Sequence, residues 1–121
     1  MPRIMIADDA EFMRMMIREN LERAGFSDIV EAVNGEEAAS LFLEAQPDLV
    51  LLDISMPVKS GLEALRDIRE ACQDARVVMC SAHGQESMII EALKLGALDF
   101  IVKPFKPARL TKVVQNILGG I

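Results

Sequence analysis

Along this chain the apolar positions alternate between short unbroken runs and helical spacing. Residues 4–7 (IMIA) form an apolar run, and two aspartates follow it. Over 12–24, Met13, Met16, Ile17, Asn20, Leu21 and Ala24 recur near the helical period, and Gly25 ends the pattern. Residues 29–33 read as a second strand, closed by the turn pair Asn34-Gly35. A helix over 36–45 stops at Gln46-Pro47, and 48–53 form a third strand. After the Ser60-Gly61 turn a helix runs to about 71, with Leu62, Leu65 and Ile68 on its apolar face. Residues 76–81 (RVVMCS) read as a strand, 85–95 as a helix stopped by Gly96, and 98–102 as the last strand. Pro107 suits the first turn of a final helix, whose face is Leu110, Val113, Val114 and Ile117. Five strands therefore alternate with five helices. Strands without in–out alternation, separated by helices, predict an α/β fold: a doubly wound parallel sheet covered on both faces. Right-handed crossovers leave few topologies for it.

The totals narrow the setting. A length of 121 residues predicts a single domain, 1–121, and such a chain buries roughly two thirds of its unfolded surface. The 51% share of hydrophobic residues argues against disorder. No apolar run is long enough to cross a bilayer, and the start, MPRIMIADD, lacks the zones of a signal peptide. A cytoplasmic protein with no membrane partner is expected. The net charge of −6 argues against nucleic acid as a direct partner. Cys72 and Cys80 lack metal-finger or redox spacing, and Cys80 reads as a small core residue. A single histidine excludes a zinc site built on several imidazoles.

The segment LVLLDISMP poses the chemical question. Leu49 to Leu52 read as a strand buried on both faces, yet Asp53 follows at its end. A carboxylate there needs a reason, because desolvating it is costly. In a doubly wound sheet, ligands bind at the carboxyl ends of the strands. Those ends deliver Asp8 and Asp9 from the first strand, Asp53 from the third, Ser81 from the fourth and Lys103, before Pro104, from the fifth. Three carboxylates in one cleft repel one another. A hard cation such as Mg²⁺, which takes oxygen ligands and works with carboxylates and phosphate, relieves that repulsion. Lys103 supplies a compact positive charge for a phosphoryl oxygen, and Ser81 a hydroxyl donor. Metal, lysine, hydroxyl and strand-tip carboxylate together make a phosphoryl-transfer site, and the carboxylate can itself be the nucleophile. Each piece alone has a plainer reading: a helix-start signal for Asp8-Asp9, a turn for Lys103-Pro104, a strand-end hydroxyl for Ser81.

The motifs IADD, LLDISMP, SGLEALRDIR, CSAHGQ and DFIVKPF, spread over essentially the whole chain, resemble the receiver domains of two-component response regulators, most closely the single-domain chemotaxis type. The resemblance implies a flavodoxin-like strand order of 2-1-3-4-5 and a cis peptide at Lys103-Pro104. It implies that Asp53 is the phosphoacceptor and that Asp9 binds Mg²⁺ directly. Asp8 would act mostly through water, and the backbone carbonyl of Ser55 would be a third protein ligand. Ser81 would swing toward the phosphoryl group, Lys103 would contact it, and Phe100 would be the aromatic switch. Enteric chemotaxis members carry tyrosine at the Phe100 position, and this chain has no tyrosine.

On this resemblance a histidine kinase phosphorylates Asp53, and a small phosphodonor can replace it. The surface of the fourth helix, fifth strand and fifth helix then changes shape and binds a partner, the flagellar motor switch in chemotaxis. A phosphatase is a further partner, and the chain is expected to act as a monomer. It is not expected to be an enzyme on a separate substrate; it would catalyse its own phosphorylation and dephosphorylation. A carrier in a phosphorelay, or a receiver of another pathway, is the alternative. Met88, Ile89 and Ile90 are consecutive on a helix, so at least one points outward. The family register suggests Ile89, as an interface residue or as a plain surface hydrophobe. Lys106 and Lys112 rim that face. Ser55 and His83 flank the phosphorylation site and are candidates for tuning phosphoryl lifetime. Arg14 and Arg18, on the outer side of the first helix, are candidates to meet a kinase.

Two rivals fit less well. A haloacid-dehalogenase phosphatase wants a second aspartate two residues after the nucleophile, where this chain has Ser55. A flavodoxin wants a Ser/Thr/Gly-rich phosphate loop after the first strand, where this chain has DDAE.

Overall fold

In the computed structural model, which describes residues 1–82 and 84–119, five strands and five helices alternate. They are β1 (Arg3–Ala7), α1 (Glu11–Arg23), β2 (Asp28–Ala32), α2 (Gly35–Ala45), β3 (Leu49–Leu52), α3 (Gly61–Ala71), β4 (Val77–Ser81), α4 (Glu86–Lys94), β5 (Asp99–Val102) and α5 (Pro107–Leu118). The strands are all parallel, in the order β2-β1-β3-β4-β5. The expected boundaries hold to within one or two residues, because the switch between unbroken runs and helical spacing is sharp.

The sheet divides the core in two. Met5, Val50, Leu52, Val77, Met79 and Phe100 point to one face, covered by α2, α3 and α4 through Phe42, Leu65, Ile68 and Ala92. Ile4, Ile6, Leu49, Leu51, Val78 and Ile101 point to the other, covered by α1 and α5 through Ile17, Leu21, Leu110 and Val114. All four residues of β3 are buried, which explains their unbroken apolar character. β2 lies at the sheet edge and is only half-buried over most of its length. Cys80 belongs to the second core layer, where burial pushes its thiol up to about 12. It is an inert core residue, as its sequence context suggested.

Asn34-Gly35 corrects the reading of a simple turn. Asn34 is the N-cap of α2, its side chain accepting a hydrogen bond from the Glu37 N–H at 2.7 Å. Gly35 is already helical, and a Cβ there would lie 2.1 Å from the Lys59 carbonyl oxygen. α3 opens with a full capping box between Ser60 and Glu63.

Candidate functional site

The parallel sheet sends every strand's carboxyl end to the same rim, and the polar residues collect there. Asp8 and Asp9 follow β1, Asp53 follows β3, Ser81 ends β4, and Lys103 follows β5. Asp8, Asp53 and Ser81 are buried, and Asp9 is exposed. The three aspartates place one carboxylate oxygen each within 4.8 Å of one another. Lys103 reaches into the cluster, 2.5 Å from Asp8 Oδ2 and 3.6 Å from Asp53 Oδ2. The Lys103-Pro104 peptide is cis, as the motif implied.

Asp53 is held from several sides. Its backbone N–H donates to the Ala7 carbonyl at 2.9 Å, tying the end of β3 to β1. Its Oδ1 accepts from the Ile54 N–H at 2.8 Å, and the Ser81 hydroxyl donates to the same carboxylate. Burial nonetheless pushes the Asp53 carboxyl above the usual aspartate value, with Asp8 adding to the rise; Lys103, Ser81 and Ile54 oppose it. Lys103 balances the other way. Burial pulls its ammonium down, but the hydrogen bond to Asp8 and the charges of Asp53 and Asp8 hold it above the usual lysine value.

One lysine against three clustered carboxylates leaves a negative excess, and the donors are all hard oxygens. That set fits a small divalent cation such as Mg²⁺, with Asp8, Asp9 and Asp53 as the side chains to hold it. Among the described residues the Asp9 carboxylate has no hydrogen-bond or ion-pair partner. Ser55 lies exposed in the β3–α3 loop, two residues beyond Asp53. His83 lies outside the described residues.

Three expectations need correction or refinement. On α4 the outward residue is Ile90, which is 44% exposed; Ile89 is half-buried and packs against the α2–α3–α4 core layer. The helix is rotated by about one residue from the suggested register, because Ala92 must face the sheet. Arg14 and Arg18 are held within the domain rather than extended into solvent: both bond Glu31 on β2, at 2.9 and 2.6 Å, and Arg18 remains 33% exposed. Finally, Asp8-Asp9 is not a helix cap. The N-cap of α1 is Ala10, without a side-chain bond, and its N–H donates to Asp8 Oδ1 at 2.9 Å.

Gly61 is a site residue that sequence reasoning treated only as a turn. A Cβ there would lie 1.8 Å from the Asp53 carbonyl oxygen, and the Gly61 N–H donates to Ile54 at 2.8 Å. The start of α3 thus packs directly on the backbone of Asp53. Its conjunction with Ser60, as a cap followed by a glycine, was the only visible signal.

A doubly wound sheet with a buried acidic cleft, a lysine and a hydroxyl on one strand-tip carboxylate defines a class: α/β domains that set a reactive carboxylate beside a hard cation. The chain belongs to the response regulator receiver domain family, whose model matches residues 4–115. It is 48% identical to the chemotaxis protein CheY of Bacillus subtilis over 117 residues, covering 97% of this chain and 98% of that one. It is equally 48% identical to the protein CcdB of the same organism over 119 residues, covering 98% and 99%. Its fold matches a chain in the crystal structure of the CheX-CheY-BeF₃-Mg²⁺ complex of Borrelia burgdorferi. There the TM-score is 0.92 and the identity 35%, over 95% of this chain and 87% of that one.

Proposed function

We propose that this receiver accepts a phosphoryl group on Asp53 and passes the event to a protein partner through its α4–β5–α5 surface. The observation that carries the reading is the convergence of Asp8, Asp9, Lys103 and Ser81 on one buried carboxylate. Asp53 Oδ1 accepts from the Ile54 N–H, and Oδ2, on the side of Lys103, is the oxygen we assign as the nucleophile. It attacks phosphorus in line. The bond from phosphorus to the donor breaks, whether to the imidazole nitrogen of a kinase phosphohistidine or the oxygen of a small acyl phosphate, and the leaving group keeps the electron pair. Asp8, Asp9 and Asp53, with the Ser55 carbonyl, would hold Mg²⁺, which when bound neutralises charge on the phosphoryl oxygens. Lys103 then trades part of its contact with Asp8 for a phosphoryl oxygen, and the Ser81 hydroxyl turns to donate to another phosphoryl oxygen. The domain catalyses its own phosphorylation and, by admitting water, its own dephosphorylation. Ser55, exposed in the loop just beyond Asp53, is a candidate to tune how readily that water attacks.

The output surface is apolar where a partner would sit. Ile90, Leu93, Leu98 and Val102 are 44 to 51% exposed, while Phe100 lies buried behind them, 8% exposed. With Ser81 bonded to Asp53 and Phe100 turned in, the two switch groups share one inward arrangement. Phosphorylation biases that arrangement, and a partner binds better only through its differential affinity for it. The match to CheY supports chemotaxis, with a histidine kinase upstream, a flagellar motor switch protein downstream, a phosphatase to reset the signal, and a cytoplasmic monomer as the working form. The equal match to a relative not named for chemotaxis keeps a second reading in view, a phosphorelay carrier or a receiver of another pathway.

The test is intact mass with peptide mapping after exposure to acetyl phosphate, in Mg²⁺ and in EDTA, on the wild type and Asp53→Asn. A Mg²⁺-dependent adduct mapped to Asp53 and absent from the variant is expected. No adduct under trapping conditions overturns the reading and leaves a phosphorylation-independent interaction domain.

A further inference from the structure

Arg14 sits on the first full turn of α1 with its side chain only 14% exposed, an unusual fate for an arginine able to reach water. Its guanidinium makes two directed bonds. Nε donates to Glu31 Oε1 on β2 at 2.9 Å, and Nη1 donates to the backbone carbonyl of Asp8 at 2.8 Å. The other Glu31 oxygen is taken by Arg18, so Glu31 is a fixed anchor. α1 has no side-chain cap, so the loop between β1 and α1 lacks the usual device that sets its course.

The Asp8 carbonyl belongs to the planar peptide that leads into Asp9. The Asp8 N–H is bonded to Ala32, and Oδ1 to the Ala10 N–H. With Arg14 holding the carbonyl as well, the plane of that peptide is fixed, and with it the point from which the Asp9 side chain departs. Asp9 is exposed and, among the described residues, unpartnered, so backbone placement is what aims its carboxylate.

We infer that Arg14 is a positioning residue for divalent-cation binding: it braces the β1–α1 loop against β2 so that Asp9 is aimed into the cluster. This rests on the proposed cation site. The role runs against plain electrostatics, since a nearby positive charge by itself weakens cation binding. The two effects therefore predict opposite signs, and the planar fork of arginine, absent from lysine, separates them further.

The experiment is calorimetric titration of Mg²⁺ into the EDTA-stripped, dialysed protein, for the wild type, Arg14→Lys, Arg14→Gln and Arg18→Gln, with denaturant midpoints in EDTA alongside. Outer groups that orient metal ligands typically change affinity by about 10- to 100-fold. Both Arg14 variants are expected to bind Mg²⁺ about tenfold more weakly. Their acetyl-phosphate adduct should fall at low Mg²⁺ and recover at saturating Mg²⁺. Arg18→Gln, which loses a bond to the same Glu31 but none to Asp8, should stay within about twofold of wild type. Unchanged or tighter binding in Arg14→Gln overturns the inference. So does wild-type affinity in Arg14→Lys, or an equal loss in Arg18→Gln. If an Arg14 variant is unfolded in EDTA, Glu31→Gln, which keeps the guanidinium but loosens its anchor, should show an intermediate loss, and wild-type affinity there overturns the inference. A wild type that takes up no Mg²⁺ is a different failure, that of the cation site itself.

Discussion

Lys103 Nζ lies 2.5 Å from Asp8 Oδ2, while Asp53 Oδ2 is 3.6 Å away. The lysine is therefore bonded first to Asp8 and only secondarily to Asp53. Both partners of the shorter contact are largely buried, with side-chain exposures of 11% and 3%. Removing one partner of such a pair leaves an uncompensated buried charge, which costs more than the pair contributes.

Lys103→Met is accordingly expected to lower stability in EDTA by about 3 kcal/mol. Adding Asp8→Asn to it should recover part of the loss, because the orphaned carboxylate is gone. Lys103 is held above 10.5, so its contribution is fully present below that pH and disappears as the pH rises through its folded value. Urea midpoints of the two single variants and the double variant would measure the coupling. A Lys103→Met variant as stable as wild type would contradict the buried-pair account.

Asp53 predicts a pH dependence of the same sense in a lower window, here as a penalty that appears as the pH rises. Its carboxyl is raised in the folded state, chiefly by burial, so the ionised form opposes folding at neutral pH. That penalty fades as pH falls through the folded value toward 3.8. Asp53→Asn should thus stabilise the EDTA-treated protein by about 1 kcal/mol at pH 7. The advantage should shrink between pH 7 and pH 3.8 and reverse sign in Mg²⁺. Denaturation at the two pH values decides it; an advantage that grows on acidification would be incompatible with a raised carboxyl.

The order of elements and the residues of the cleft were legible because both are written in local pattern. Strand β3 could be read from four consecutive apolar residues, and Asp53, Lys103 and Ser81 stood out as polar residues at strand ends. The strand order needed the family resemblance, since crossover rules alone leave several topologies. What local pattern could not give was orientation and pairing across distance. Arg14 and Arg18 look like solvent-facing charges on α1, and only the position of Glu31 on the neighbouring edge strand turns them inward. Gly61 looks like a turn residue until α3 is seen against the Asp53 carbonyl. The α4 register failed for the same reason: three consecutive apolar residues do not say which one the sheet will claim.

That register has a direct test. Ile90 is 44% exposed, whereas Ile89 packs on the core. Ile90→Ser should change stability by less than about 0.5 kcal/mol, as surface substitutions do. Ile89→Ser should cost about 1–2 kcal/mol, through lost burial and a hydroxyl placed against apolar neighbours. Both variants should still take a phosphoryl group, since neither touches the cleft. Chemical denaturation read by far-UV circular dichroism suffices, because the chain has no tryptophan. If Ile89→Ser is the neutral one, Ile89 points outward and Ile90 is the residue that α4 turns to the core.

The β3–α3 loop carries strain that the sequence does not announce. Val58 has φ +69°, and the Lys59 N–H donates to the Pro57 carbonyl at 2.8 Å, so a γ-turn closes around it. A β-branched residue in the left-handed region is a true outlier, costing on the order of 1–2 kcal/mol. Its side chain is 76% exposed, so no core packing compensates. Glycine, with no Cβ, adopts such a turn without the clash, and Val58→Gly should raise stability by up to about 1 kcal/mol. Asparagine should gain less, because its tolerance is for the αL well and not for a γ-turn. The loop joins Asp53 to the capped start of α3, so a relaxed turn also bears on the cleft. If its strain helps to set the Ser55 carbonyl, the stabilised variant should hold Mg²⁺ less tightly; if the loop is merely tight, affinity should be unchanged. Thermal melts in EDTA and Mg²⁺ titration on the same variant separate stability from function. A Val58→Gly protein less stable than wild type by more than the entropy cost of a glycine, about 1 kcal/mol, would mean that this turn is not the resting conformation of the loop.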